Sequence, residues 1–186
     1  MRKIDLFVEG IKNMKTVGTI TATSKYAIRK MLKNIDFSQV SCIVELGAGD
    51  GCITRNILQK LPPNAKLIAF EINEKFCAVL EKIVAQDPRL ILVKDSAENI
   101  EQYLEKYEVE KIDYVVSALP LALLPDNVLK NILAVVKNLL PQTGAFIQIQ
   151  YSLLSYKMLK SFFNSIDIQF VARNIPPALI YQCKNI

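Results

Sequence analysis

From about residue 40 onward, short runs of consecutive apolar residues alternate with longer segments whose apolar residues recur every three or four positions. That alternation predicts stacked βαβ units around a parallel sheet. Strands are expected over 41–46, 66–71, 90–94, 112–118, 145–151, 166–173 and 179–184, and helices over about 51–60, 74–86, 97–107, 127–140 and 155–164. Several of the strands are apolar at nearly every position, the pattern of a sheet covered on both faces. The last two are joined only by Asn174-Ile-Pro-Pro-Ala178, which leaves no room for a crossover helix, so they must pair antiparallel. Ahead of this core, Ile4, Phe7, Val8, Ile11 and Met14 fall at helical spacing and predict an amphipathic helix ending near Val17-Gly18-Thr19. Ser24 is placed to cap a second helix reaching Leu32, with Lys25, Arg29, Lys30 and Lys33 on its outer side. The expected architecture is an α/β sandwich in one domain over 1–186: basic N-terminal helices in 1–33, then a core over 40–186 with a seven-stranded, mostly parallel sheet that closes on an antiparallel hairpin.

Candidate chemistry sits at the first predicted strand end, where Cys42-Ile-Val-Glu-Leu46 runs into Gly47-Ala-Gly-Asp-Gly51. Ligands of open α/β sheets bind at the carboxyl ends of strands. Glycine there permits a tight turn and lets a ligand lie against the backbone. A dinucleotide fingerprint needs its third glycine at position 52, which is Cys52, whereas here it falls at Gly51. Glu45, two residues before the first glycine, would repel a pyrophosphate and suits a ligand carrying a positive sulfonium and an amino group. Glu71 ends the second strand, where it can accept from both hydroxyls of a ribose, or stand as an acid in solvent. Asp95 follows the third strand, placed to receive an adenine amino group with backbone help from Ser96 or Ala97, or to cap a helix.

Composition narrows the choice further. Histidine is absent, which excludes Ser-His-Asp and Cys-His nucleophile arrangements and imidazole-bound metal sites. The four cysteines show no Cys-x-x-Cys spacing, as expected of free thiols in a reducing cytoplasm. Asp5 and Glu9 interrupt any signal-like apolar segment, and the apolar run 114–124 falls short of the roughly 20 residues that cross a bilayer, so a soluble protein is expected. The charge of +5 is uneven: residues 1–33 carry eight basic side chains against Asp5 and Glu9, so the rest of the chain is nearly neutral. A basic leading segment calls for an anionic partner, phospholipid headgroups or nucleic acid, or else is a solvated helix face.

The order Glu-x-Gly-x-Gly-x-Gly, Glu71, Asp95 and Ser117-Ala-Leu-Pro120 resembles the class I S-adenosylmethionine-dependent methyltransferases over residues 40–150. More specifically, Val17-Gly-Thr-Ile-Thr-Ala-Thr-Ser24, Val116-Ser-Ala-Leu-Pro-Leu121, Phe146-Ile-Gln-Ile-Gln-Tyr-Ser152 and Arg173-Asn-Ile-Pro-Pro-Ala178 are similar to segments of bacterial phospholipid N-methyltransferases, relatives of the ribosomal RNA adenine dimethylases. The resemblance implies a Rossmann-like methyltransferase sandwich. It places S-adenosylmethionine against Glu45, Gly47, Ala48, Gly49, Gly51, Glu71, Ile72, Asp95, Ser96, Ala97, Ser117 and Leu119.

Enzymes that methylate the exocyclic nitrogen of a base flip it against an aromatic ring. They resemble one another in an Asn/Asp-Pro-Pro-aromatic or Asn-Leu-Pro-Tyr segment after the fourth strand. Here Ser117 stands where the amide would be and Leu121 where the ring would be, which favours a lipid over a base. The resemblance then implies methylation of a phosphatidylethanolamine-like amine, by a cytoplasmic protein peripheral to the inner membrane face. In that setting the leading helix lies on the bilayer with each basic residue contributing about 1 kcal/mol, or else it packs over the cofactor. With no histidine, the amine proton must leave through water, a carboxylate or a tyrosine; Tyr26, Tyr151 and Tyr181 are the candidates, each equally able to be a core tyrosine. Arg173, Lys25 and Arg29 are the candidates for the lipid phosphate. RNA or DNA adenine methylation, and a cofactor-binding module without turnover, are the competing readings.

Overall fold

A computed structural model describes residues 23–185. The predicted helix over residues 4–14 lies outside that range. The first described helix, α1 (Lys25–Leu32), begins where Ser24 Oγ accepts from the Ala27 N–H at 3.2 Å, the cap its sequence position called for. It buries Ala27, Ile28, Met31 and Leu32 on one stripe.

Beyond α1 the chain alternates: β1 (Cys42–Leu46), α2 (Cys52–Leu58), β2 (Lys66–Phe70), α3 (Glu74–Val84), β3 (Leu90–Val93), α4 (Ile100–Lys106), β4 (Tyr114–Ser117), α5 (Asp126–Leu139), β5 (Ala145–Gln150), α6 (Tyr156–Phe162), β6 (Ser165–Val171) and β7 (Ala178–Lys184). Each element predicted from residue 40 onward is present, with ends moved by a few residues. The predicted helix over 97–107 opens as a 3₁₀ turn, Ala97–Asn99, capped by Ser96, before α4 begins. The sixth strand stops at Val171, so Arg173 and Asn174 lie in the hairpin turn.

The strands form one sheet in the order β3-β2-β1-β4-β5-β7-β6. All pairs are parallel except those of β7, which runs antiparallel to both β5 and β6. Every residue of β1 and β5 is buried, as a sheet covered on both faces requires. One core contains Ile28 and Met31 of α1, Ile57 of α2 and Leu80 of α3 against Ile43, Leu67, Ile147 and Ile180 of the sheet. The other contains Leu104 of α4, Leu133 of α5 and Leu159 of α6 against Val44, Ile68, Phe146 and Tyr181. From β1 the chain moves outward through β2 to β3, then returns past β1 to β4. This reversal opens a crevice beyond the carboxyl ends of β1 and β4, where such folds bind ligands.

The opposite edge is held by Asp113, 7% exposed. One of its oxygens accepts from the Ser41 N–H at 2.7 Å, the Ser41 hydroxyl at 2.9 Å and the Cys42 N–H at 3.1 Å, and Lys111 Nζ lies 2.9 Å from the other. Burial opposes its charge, but these donors outweigh burial and hold its pKa below the ordinary carboxylate value. A depressed carboxylate stabilises the fold above its unfolded pKa, and that contribution is lost as pH falls through the folded one. Asp113→Asn is therefore expected to cost about 1–3 kcal/mol in urea denaturation at pH 7. The gap between variant and parent should close as pH falls below the ordinary carboxylate range; a gap unchanged at acid pH would show that the anchor is not electrostatic.

Candidate functional site

At the end of β1 the chain turns into α2 over five residues. Gly47, Gly49 and Gly51 adopt φ of 73°, 57° and 78°, a region that L side chains rarely enter. The turn is fastened to the neighbouring strand end, because the N–H groups of Gly47 and Ala48 donate to the Phe70 carbonyl at 2.9 and 3.2 Å. A Cβ at Gly51 would stand 2.6 Å from Ile83 Cδ1, and one at Gly47 would stand 2.9 Å from Leu119 Cδ2. A Cβ at Gly49 would meet nothing nearer than the Gly47 carbonyl oxygen at 4.0 Å. Gly47 and Gly51 are thus demanded by packing as well as by φ, while Gly49 faces open space.

Two carboxylates flank the loop. Glu71 Oε2 accepts from the Gly49 N–H and Oε1 from the Asn73 N–H, both at 2.8 Å, so this strand-end acid is tied into the loop rather than standing in solvent. Each of its oxygens keeps a lone pair for a further donor. Glu45 is 1% exposed, and among the described residues neither its oxygens nor the hydroxyl of nearby Thr54 has a hydrogen-bond partner. Burial pushes Glu45 up to about 8; Thr54 opposes that rise, and the like charges of Glu71 and Asp50 add to it. A buried carboxylate left without a donor is costly unless something positive meets it.

Asp95 is held by three groups: the Ser96 N–H at 2.7 Å on one oxygen, Asn99 Nδ2 and the Tyr103 hydroxyl, each at 3.0 Å, on the other. Desolvation raises its pKa, but these donors prevail and lower it. The cap of the turn that follows is Ser96, not Asp95, since Ser96 Oγ accepts from the Glu98 N–H at 3.3 Å. Ala97 is buried and Ile72 half-buried. Ser117 Oγ is 3.3 Å from the Leu119 N–H that donates to it, so its hydroxyl shapes the Ser117–Pro120 turn. The Leu119 carbonyl accepts from Gln148 Nε2 at 2.9 Å and Gln150 Nε2 at 3.1 Å. These two buried glutamines were not among the sequence candidates, although amides at alternate positions of an otherwise apolar strand are the signal that marks them.

A second cluster adjoins this one. Arg173 lies over the Tyr26 ring, 5.1 Å from its centroid, with Lys25 Nζ on the same ring at 5.4 Å. Asn174, 1% exposed, accepts from the Ser24 N–H at 2.9 Å and donates to the Pro176 carbonyl at 2.8 Å, which ties the cap of α1 to the β6–β7 turn. Tyr151 is half exposed; burial raises its phenol, which a hydrogen bond with Asn174 opposes and the Cys52 thiol reinforces. Cys52 heads α2, so Tyr151 borders the glycine loop. Tyr26, Tyr151, Lys25 and Arg173 thus come together. Arg29 stands one turn along α1 and lines with Lys25 a groove of about 410 Å³ between α1 and α2. Tyr181 is not brought to this cluster. It is fully buried on the other face of β7, because side chains alternate along a strand, and its hydroxyl donates to the Ser152 carbonyl at 3.2 Å.

Comparison with known proteins agrees with this geometry. A family model described as a methyltransferase domain matches residues 43–144, more than half of the chain, and the chain belongs to that family. It is 29% identical over 176 residues to an ornithine lipid N-methyltransferase of Singulisphaera acidiphila, covering 94% of this chain and 92% of that one. The fold matches a precorrin-6y C5,15-methyltransferase of Geobacter metallireducens with TM-score 0.68 at 14% identity, covering 91% of this chain and 95% of the other. A structure described as PigF with SAH matches with TM-score 0.61 at 17% identity, over 86% of this chain and 55% of that one. The protein is an S-adenosylmethionine-dependent methyltransferase with the Rossmann-like α/β sandwich of that class. The donor set can accommodate a cationic, hydroxyl-bearing cofactor: a buried carboxylate without a hydrogen-bond partner among the described residues, a second carboxylate with lone pairs still open, and clear space over Gly49.

The raised pKa of Glu45 sets a stability test in the cofactor-free protein. A carboxyl whose folded pKa lies above its unfolded one costs nothing at low pH and progressively more as pH climbs toward the folded value of about 8. Glu45→Gln should therefore melt above the parent at pH 9, with an advantage of a few kcal/mol at most that vanishes near pH 4. Equal melting temperatures at every pH would show that Glu45 is solvated in the free protein.

Proposed function

We propose that this methyltransferase N-methylates the amine of a phosphatidylethanolamine-like phospholipid at the surface of a membrane, to which it binds peripherally. The observation that carries the reading is the segment after β4. Where base-modifying enzymes set an amide and a stacking ring, this chain has Ser117, whose hydroxyl is engaged with the Leu119 N–H, and Leu121, which is fully buried. The wall facing the cofactor loop is instead the aliphatic Leu119, pressed against Gly47. Similarity along nearly the whole chain to an ornithine lipid N-methyltransferase supports an amine-bearing lipid.

S-adenosylmethionine supplies the activated methyl group. In our reading Glu45, Gly47, Ala48, Gly49 and Gly51 hold its amino acid end, Glu71 with Ile72 its ribose, and Asp95, Ser96 and Ala97 its adenine, while Ser117 and Leu119 wall the transfer region. One Asp95 oxygen already accepts from Asn99 and Tyr103, so an adenine amino group would have to share the other with the Ser96 N–H. A phenol is neutral at physiological pH and burial pushes that of Tyr151 further up, so it orients the acceptor amine through its oxygen while the proton leaves to water. Lys25, Arg29 and Arg173 supply positive charge for the lipid phosphate. Alignment of donor and acceptor can itself supply several kcal/mol of the barrier reduction.

Calorimetric titration with S-adenosylmethionine should show binding that Gly49→Ala and Glu71→Ala weaken by about tenfold or more, since each removes a contact to the ligand or fills its space. NAD should not bind. Radiolabelled methyl should pass to phosphatidylethanolamine and not to adenine in RNA or DNA. Transfer to nucleic acid alone would overturn the lipid reading while leaving the cofactor site intact.

A further inference from the structure

The carboxyl end of the sheet is divided by charge. Its β3-β2-β1 half presents Glu71 and Asp95 with Glu45 beneath, the half that suits a cationic cofactor. The β4-β5-β7-β6 half is built from the segments 23–29, 119–126, 151–157 and 170–178, in which Lys25, Arg29, Lys157 and Arg173 face only one acid, Asp126.

That second half is also apolar where it meets solvent. Among the described residues, every exposed large apolar side chain lies there, on the loop after β5, the β6–β7 turn, the start of α1, the end of β6 or the loop after β4. Leu154 is 79% exposed, Ile175 78% and Leu153 61%, values ordinarily avoided for isolated aliphatics set side by side. The topology places these tips together. Gln150 at the end of β5 pairs with Leu179, and Val171 at the end of β6 pairs with Ala178, so the turn holding Ile175 stands beside the loop holding Leu153 and Leu154. Tyr181 bonded to the Ser152 carbonyl, and Asn174 bonded to both the Ser24 N–H and the Pro176 carbonyl, keep this rim in place.

We infer that this rim, Leu153, Leu154 and Ile175 with the cations Lys25, Lys157 and Arg173 around them, docks on an anionic phospholipid bilayer, its apolar tips entering the interface. Aliphatic tips ringed by cations that form no ion pair among the described residues match the two components of peripheral membrane binding, apolar burial and attraction to anionic headgroups. Neither a soluble acidic protein nor nucleic acid gives the projecting aliphatic tips an apolar phase to enter. Docked this way, the carboxyl end of the sheet, which carries both the loop after β5 and the glycine loop, faces the headgroup layer, so an amine headgroup reaches it without leaving the membrane. The inference rests on the lipid-acceptor reading for the membrane as partner, but its evidence is the rim itself.

The chain has no tryptophan, so a single introduced one reports its own surroundings. In the full chain, Leu154→Trp and Ile175→Trp should shift emission to shorter wavelength with phosphatidylglycerol-containing vesicles and be quenched by brominated acyl chains, while Gln86→Trp at the opposite end should not respond. Leu153→Ser with Leu154→Ser should weaken sedimentation with these vesicles by about tenfold or more, leaving S-adenosylmethionine binding and melting temperature unchanged. Gln86→Ser with Asn138→Ser should have no effect, and pure phosphatidylcholine vesicles should bind more weakly than anionic ones. Failure of the parent to bind vesicles, silent rim tryptophans, or binding unchanged in the double serine variant each overturns the inference. Methyl transfer to detergent-dispersed phosphatidylethanolamine separates the two readings. Transfer without rim docking leaves the acceptor reading standing alone, and rim docking without transfer leaves the docking surface standing alone.

Discussion

The left-handed turn from β1 into α2 is the constraint on which the rest of the site depends. Three of its five residues have positive φ, a backbone path that is open only because those positions are glycine. Its shape is then fixed by bonds to one neighbouring strand, through the Phe70 carbonyl and the Glu71 carboxylate. Because Phe70 ends β2 and Glu71 follows it directly, the parallel register of β1 with β2 decides whether the turn is held at all. The position of the ligand loop is thus a consequence of sheet pairing, and the central strands β1 and β4 are in turn tied together at their amino ends by Asp113 on Ser41 and Cys42.

Charge follows from the same arrangement. Glu45 points from β1 toward Thr54 of α2, and among the described residues no donor is hydrogen-bonded to its buried oxygens. Such a group is tolerated where a ligand completes it, and a cationic ligand completes it best. Glu71 differs although it has the same side chain. It lies at a strand end where two backbone N–H groups already meet it, so it serves the loop's shape and a ligand together.

The β4-β5-β7 side is organised by a different kind of bond. Amides fix the loops there: Gln148 and Gln150 hold the Leu119 carbonyl, and Asn174 holds the cap of α1 against the hairpin turn. Buried amides with both donor and acceptor capacity suit the junction of irregular segments, whose main-chain groups have no ladder partner. Loops fixed in this way carry the exposed aliphatic side chains of the described residues at that end of the sheet.

The amino-acid sequence by itself determined the element order, the antiparallel closing hairpin and the glycine loop with its acids, because apolar periodicity, chain length between strands and glycine conformational freedom are local properties. Ser24 as a cap and Gly51 as the third glycine were legible for the same reason. What only the tertiary structure decided was which side chains share a place. Tyr26, Tyr151 and Tyr181 look alike in sequence, yet the first two adjoin Arg173 and Asn174 while the third is sealed in the far core, because one step along β7 reverses the face. Asp95 reads as a free acceptor until Asn99 and Tyr103 are seen to fill one of its two oxygens. The amides Gln148 and Asn174 acquire their roles only when strands distant in sequence lie side by side. Local chemistry is written residue by residue, but a site is made of contacts across the chain, and those exist only once hydrophobic burial has chosen which face of each element turns inward.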